Sequence, residues 1–224
     1  MKMTKKTAAN NHEEGYTTPA VRIEYAWLLS DAASTVLNEK WGDGTPLQSY
    51  EEYVAVAEKY DAWWQPESEK ILAALCEITG LEFRQNIIDV YVAPWFYAFS
   101  VPMVIGVIFK TKDDLIRVLA HEITHRLLTD NTTYKYFYKF LPMWRKMFGT
   151  ELPFNTVVHI PVHAIIKKLF VEYLKRPDLV TLDKERVADN PPYKQAWEYV
   201  EAHGYEAIIA QLREHAATMR SDVA

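Results

Sequence analysis

The stretch VPMVIGVIFKTKDDLIRVLAHEITH, residues 101–125, decides how this chain is read. It passes from an uncharged run rich in β-branched residues to a segment of helical period, and the change falls at Thr111. Thr111 to Asp114 has the spacing of a capping box. The hydroxyl is placed for the first-turn amides and the carboxylate returns to the cap amide, so a helix begins there. Projected at about 100° per residue, Ile116, Leu119, Ile123 and Leu127 form one apolar face, while His121 and His125 point roughly the other way beside Val118 and Leu128. Both sides read as buried or half-buried. Such a helix belongs in the wall of a cleft between two packed layers.

His121-Glu122-Ile123-Thr124-His125 is the chemical centre of this segment. Positions i and i+4 share a helix face, so both imidazoles can reach one tetrahedral Zn²⁺, and Glu122 lies within reach of a water on that ion as a general base. A catalytic zinc takes three protein ligands and a water, so a third ligand must come from elsewhere. The single cysteine, Cys76, excludes both an intramolecular disulfide and a thiolate set, which leaves nitrogen and oxygen donors.

Asp130, His159, His163 and Glu172 are the candidates. Asp130 follows the motif too closely to fold back readily. His163 shares a face with Ile166, Lys167, Phe170 and Leu174, can point across to the motif helix, and is the expected third ligand. Glu172 lies about 180° round from that face. Pro161 favours a first helical turn, which starts the helix near Ile160 and leaves His159 just outside it. His159 is the runner-up as ligand and the first choice for donating a hydrogen bond to a tetrahedral intermediate, with Tyr134, Tyr136 and Tyr138 behind it.

The rest of the chain supplies the frame. Ala20 to Leu37 carries Val21, Tyr25, Leu28 and Leu29 at helical spacing and ends in a turn at Trp41 to Gly44. A second helical segment, Tyr50 to Tyr60, is bounded by Pro46 and Pro66. A third starts near Pro66, shows Ile71, Leu72, Leu75 and Ile78 as its stripe, and is capped by Gly80. From Leu81 the period changes: Ile87 to Val92 reads as one strand and Val101 to Phe109 as a second. Asn131 to Phe148 is strongly aromatic and reads as core and lobe contact. The segment holding His163 leads into a helix reaching about Lys175, and Pro191-Pro192 opens another, broken at Gly204 before a last amphipathic helix.

The expected architecture is α+β and mostly helical, with a small sheet preceding the motif helix and a cleft between two lobes. A helical region, 1–80, and a region carrying the site, 81–224, together make one compact unit. The formal charge of −5 and the lack of a basic stripe argue against a nucleic-acid partner. Val90 to Phe109 is uncharged and long enough to cross a bilayer, but Pro94 and Pro102 interrupt it, so two buried strands joined by a turn fit better. No apolar leader follows the basic start, and a cytoplasmic location is expected.

Over residues 101–175 the chain resembles the zincin metallopeptidases, and is similar in particular to their gluzincin branch. There a strand precedes the HExxH helix and a later helix supplies the third ligand. The resemblance implies that His121 and His125 bind zinc and that Glu122 is general base and proton shuttle. In that branch the third ligand is a glutamate followed by alanine. His163-Ala164 looks like the matching position, with histidine in place of the glutamate. The longer HExxHxxGxxH pattern is absent, since Leu128 and Asn131 occupy the further positions. The resemblance also implies an extended peptide pairing with an edge strand above the cleft, and Val101 to Phe109 looks like that strand. The expected function is therefore a Zn²⁺-dependent peptidase acting on a peptide or protein. The alternative is a non-catalytic, zinc-stabilised binding or regulatory module closed by His121, His125, His159 and His163 together.

Overall fold

The computed structural model describes residues 18–32, 35, 49–94, 96–130 and 141–221. The expected turn at Trp41 to Gly44 and the aromatic stretch from Asn131 to Phe140 lie outside them. The fold is α+β and mostly helical, built around a four-stranded mixed sheet.

Strand β1 (Ala20–Tyr25) corrects the expectation of a helix at this point. Its side chains alternate, with Val21 and Ile23 buried and Arg22 and Glu24 exposed, which is the period of a strand with one covered face. It pairs in parallel with β2 (Ile87–Val92), and Arg22 bridges its register partner Asp89 at 2.6 Å.

Between them, α1 (Tyr50–Thr79) is a single helix of 30 residues where two segments were expected. Pro66 lies inside it. The buried stripe Tyr53, Ala57, Tyr60, Trp64, Ser68, Ile71, Leu75 and Ile78 stays in phase through the proline. Ala62, whose carbonyl loses its partner, faces solvent along with Pro66, so water can replace the missing bond. A complete capping box, Ser49 with Glu52, opens α1, and Gly80 closes it in the left-handed conformation at φ 69°.

The second expected strand is shorter than its apolar run. β3 (Ala98–Ser100) and β4 (Met103–Ile105) form an antiparallel pair, and β4 also pairs in parallel with β2. The sheet order β1-β2-β4-β3 makes β4 central, with all three residues buried, and puts β3 at the edge.

The motif helix α2 (Lys112–Asp130) begins as expected at Thr111, whose hydroxyl accepts the Asp114 amide at 3.1 Å. The Asp114 carboxylate returns to the Thr111 hydroxyl, also at 3.1 Å. Both apolar sides are buried, as the projection required. After α3 (Leu141–Phe148) comes α4 (Phe154–Lys168), continued by a π-helical turn, Leu169–Tyr173. Every residue from Thr156 to Ile166 is buried, so α4 is a core helix covered on all sides. Tertiary packing therefore overrides the positional preference of Pro161, which sits in the middle of α4 rather than in its first turn.

Three further helices, α5 (Pro177–Arg186), α6 (Pro191–His203) and α7 (Tyr205–Ser221), cover α4, with the expected break at Gly204. One hydrophobic cluster includes Val21, Ile71, Ile105, Leu119, Ile165 and Ile209. Among the described residues no helix is long and apolar enough to cross a membrane.

Candidate metal centre

α2 and α4 pack against each other with their histidines turned inward. His121 and His125 stand one turn apart on α2, and His159 comes from the second turn of α4. The Nε2 atoms converge: His125 lies 3.1 Å from His121 and 3.3 Å from His159. Two ligands of one tetrahedral zinc, each at 2.0–2.1 Å, stand about 3.3–3.4 Å apart. Both distances are short enough for ligands of one metal ion, and the three histidines form a group that could hold one.

Second contacts fix the ring that the sequence placed outside the helix. His159 Nδ1–H donates to the Asn155 carbonyl at 2.6 Å, which assigns the proton to Nδ1 and leaves the Nε2 lone pair facing the other two rings. The helical reach of α4 back to Phe154 produces this bond.

His163 takes a different place from the one expected of it. It is fully buried one turn further along α4, with ring centroids 5.7 Å from His121 and 5.6 Å from His159, but it does not join the converging group. Neither ring nitrogen has a hydrogen-bond partner. Its face lies flat on Trp197 of α6, at 4.4 Å and 14°. The two remaining sequence candidates are engaged elsewhere. Asp130 pairs with Arg126 at 3.1 Å, and Glu172 accepts from the Tyr205 hydroxyl at 2.8 Å and pairs with Lys168.

The electrostatics follow from burial. His121, His125 and His163 are held well below the ordinary imidazole range, first by desolvation and then by the neighbouring histidines, His159 among them in every case. His159 is lowered to about 4 by burial, partly offset by its bond to Asn155. Neutral imidazoles are the form that binds metal. Glu122 is only half-buried by solvent contact, yet its carboxyl is pushed up to about 8 by desolvation. A cation at the three nitrogens would oppose that shift.

Five residues near the site are not singled out by the sequence. Tyr193 of α6 lies over His159, with centroids 3.8 Å apart, and burial followed by the charge of Glu122 pushes its phenol up to about 12. Arg117, one turn before His121 on the same face, is buried and paired with buried Asp183 at 2.7 Å. Asp183 also accepts Trp197 Nε1–H at 2.9 Å, and Arg117 donates to the Tyr97 hydroxyl at 2.9 Å. A chain of contacts thus runs from Tyr97 through Arg117, Asp183 and Trp197 to His163. Arg117 carried a readable signal, since a lone arginine beside two histidines on a helix with two buried sides needs a buried partner. Tyr193 and Trp197 carried none. Of the tyrosines proposed from the sequence as donors, Tyr134, Tyr136 and Tyr138 lie outside the described residues. No family model, curated protein or solved structure matches the chain.

Proposed function

We propose that this protein is a zinc-dependent hydrolase of peptide bonds, with His121, His125 and His159 as metal ligands and Glu122 as general base. One observation carries the reading: His125 Nε2 lies 3.1 Å from His121 Nε2 and 3.3 Å from His159 Nε2, so three histidines gather into one group that could hold a metal ion, and a carboxylate follows the first of them in sequence. Three protein ligands leave one tetrahedral position open. Imidazole donors suit zinc among several transition metals, and an adjacent base has a use only where a proton must be moved. Bound there, Zn²⁺ supplies Lewis acidity and lowers the pKa of a water toward neutrality.

The remaining roles belong to the chain. Glu122 takes a proton from the attacking water and returns it to the leaving amine. Tyr193 stays protonated at neutral pH and lies against His159, so it is the assigned donor to the developing oxyanion, a role the sequence reading gave to His159. His159 is then a ligand, and its Asn155 bond orients it.

Substrate positioning falls to β3. β4 is central and buried, whereas β3 has one strand neighbour among the described residues, packs against the motif helix, and exposes Phe99, with Tyr97 and Val101 exposed on either flank. An extended peptide adding to this edge gains main-chain hydrogen bonds, and the exposed apolar side chains meet alternate substrate residues.

The test joins metal content to turnover. Glu122→Gln is expected to keep one zinc per chain and the wild-type circular dichroism spectrum while losing about 10²–10⁴-fold in peptide cleavage. Unchanged cleavage would remove Glu122 from the mechanism. The non-catalytic module needs a fourth protein ligand. His163 is the histidine nearest to that role, and its position outside the converging group favours the open site.

A further inference from the structure

Two turns before His121, a cavity of about 310 Å³ opens between the β3 side and α5, lined by Tyr97, Ile108, Phe109, Lys110, Asp114 and Arg186. Its polar groups are unevenly committed. Both Asp114 oxygens already accept, Oδ1 from Arg186 Nε at 3.3 Å and Oδ2 from Arg186 Nη2 at 3.2 Å and from Thr111. The Phe109 carbonyl accepts from Tyr60, and the Phe109 amide donates to it. What remains open is donors. Lys110 is exposed and forms no ion pair among the described residues, and Arg186 keeps Nη1. The Tyr97 oxygen accepts from Arg117 and retains its own O–H. Arg186 and Asp114 cancel in charge, as do Arg117 and Asp183 beneath, so Lys110 leaves the cavity positive.

We infer that this cavity binds a carboxylate of the substrate. The inference rests on the peptidase reading and adds a substrate class to it. Position follows from the helix: seven residues at about 1.5 Å each put Asp114 about 10 Å from His121 along α2. An extended chain covers that in about three residues at roughly 3.3 Å each. Tyr97 immediately precedes the edge strand β3, so a peptide added to that edge reaches the cavity at one end. The carboxylate is thus an acidic side chain, or the chain terminus, about three residues from the bond that is cut.

The experiment reads binding rather than turnover. Zinc-loaded Glu122→Gln protein is titrated with fluorescent decapeptides in which Glu, Gln or Lys is moved through each position, each made with a free or an amidated C-terminus. Glu is expected to bind about three- to fivefold tighter than Gln at one position, the size of a partly exposed charge pair. In the same background, Lys110→Ala should abolish the preference and Lys110→Glu should reverse it toward Lys. If only the free C-terminus confers tighter binding, the carboxylate recognised is the terminus. Equal Kd for the Glu, Gln and free-acid peptides, or a preference that survives Lys110→Ala, overturns the inference. A preference retained by a wild-type protein that cleaves nothing would overturn the hydrolase reading and leave this one standing.

Discussion

Replacing His159 and His163 separately distinguishes a ligand from its neighbour by two opposite signs. His159 belongs to the histidine group that could hold a metal, so on the proposed reading His159→Ala removes a ligand outright. Four-ligand zinc sites bind with an apparent about 10–16 kcal/mol, or about 2.5–4 kcal/mol per ligand if shared evenly. The expected loss in zinc affinity is therefore on the order of 10²–10³-fold. His163 presents the reverse case, because both ring nitrogens are buried and unpartnered while its ring is stacked on Trp197. Leaving a buried polar group unsatisfied costs about 1–3 kcal/mol, and an apolar side chain of similar volume relieves that cost. His163→Leu should keep zinc within about threefold of wild type and hold or raise the melting temperature of the metal-free protein. Competition with a chromophoric chelator gives the affinities, and calorimetry gives the melting temperature. Comparable zinc losses in both variants would refute the open three-histidine site and return the closed four-histidine one. Loss in His163→Leu alone would restore the ligand first expected from the sequence.

Three further outcomes follow from the same geometry. Metal-free protein should be most stable near pH 6.5. The four depressed histidines favour the fold above their unfolded pKa and lose that contribution as pH falls, down to about 4 for His159, whereas Glu122, raised to about 8, loses its contribution as pH rises past 4.5 toward 8. Chemical denaturation across pH 4–8, with and without zinc, checks this, and a metal-free curve that keeps rising on acidification below pH 6.5 contradicts it. Asp183→Ala leaves buried Arg117 with the Tyr97 hydroxyl and a longer, 3.9 Å contact to Asp114, which Arg186 already engages, and should cost about 3–5 kcal/mol in urea titration; a loss under about 1 kcal/mol would show that the pair is not shielded from solvent. Gly106→Ala places a Cβ against the Phe96 carbonyl oxygen, which is backbone and cannot swing aside, so it should destabilise by about 1–3 kcal/mol or more, and a melting temperature equal to wild type would count against this packing.

The motif helix was legible because three local signals agreed: a cap at Thr111, a four-residue histidine spacing, and apolar residues on two sides. Where the reading missed, two periods competed or a proline was overweighted. Val21 and Tyr25 satisfy both helical and strand spacing, and Ile23 between them decides for the strand. The decision also depends on β2, whose partner edge lies 67 residues away at the Arg22–Asp89 bridge. Local period cannot contain that information. Position rules alone place a helix start at both Pro66 and Pro161. Each lies inside a helix because the buried stripe on either side of it outweighs one lost backbone bond, at an exposed site for Pro66 and in a fully covered helix for Pro161.

The misplacement of Pro161 propagated directly into the chemistry. A helix starting at Ile160 leaves His159 outside it and His163 near its start, which makes His163 the expected ligand. Extending α4 back to Phe154 turns His159 and His163 into neighbours on one helix, and two physical differences then separate them. His159 has the Asn155 carbonyl to hold its Nδ1 proton, while His163 has only the face of Trp197. A ring whose distal nitrogen is anchored presents a single lone pair in a fixed direction, which is what a metal ligand requires. A stacked ring with no hydrogen bond is fixed in plane but not in tautomer. The distinction rests on a main-chain carbonyl and on a tryptophan 34 positions further along the chain, neither of which a histidine spacing can report.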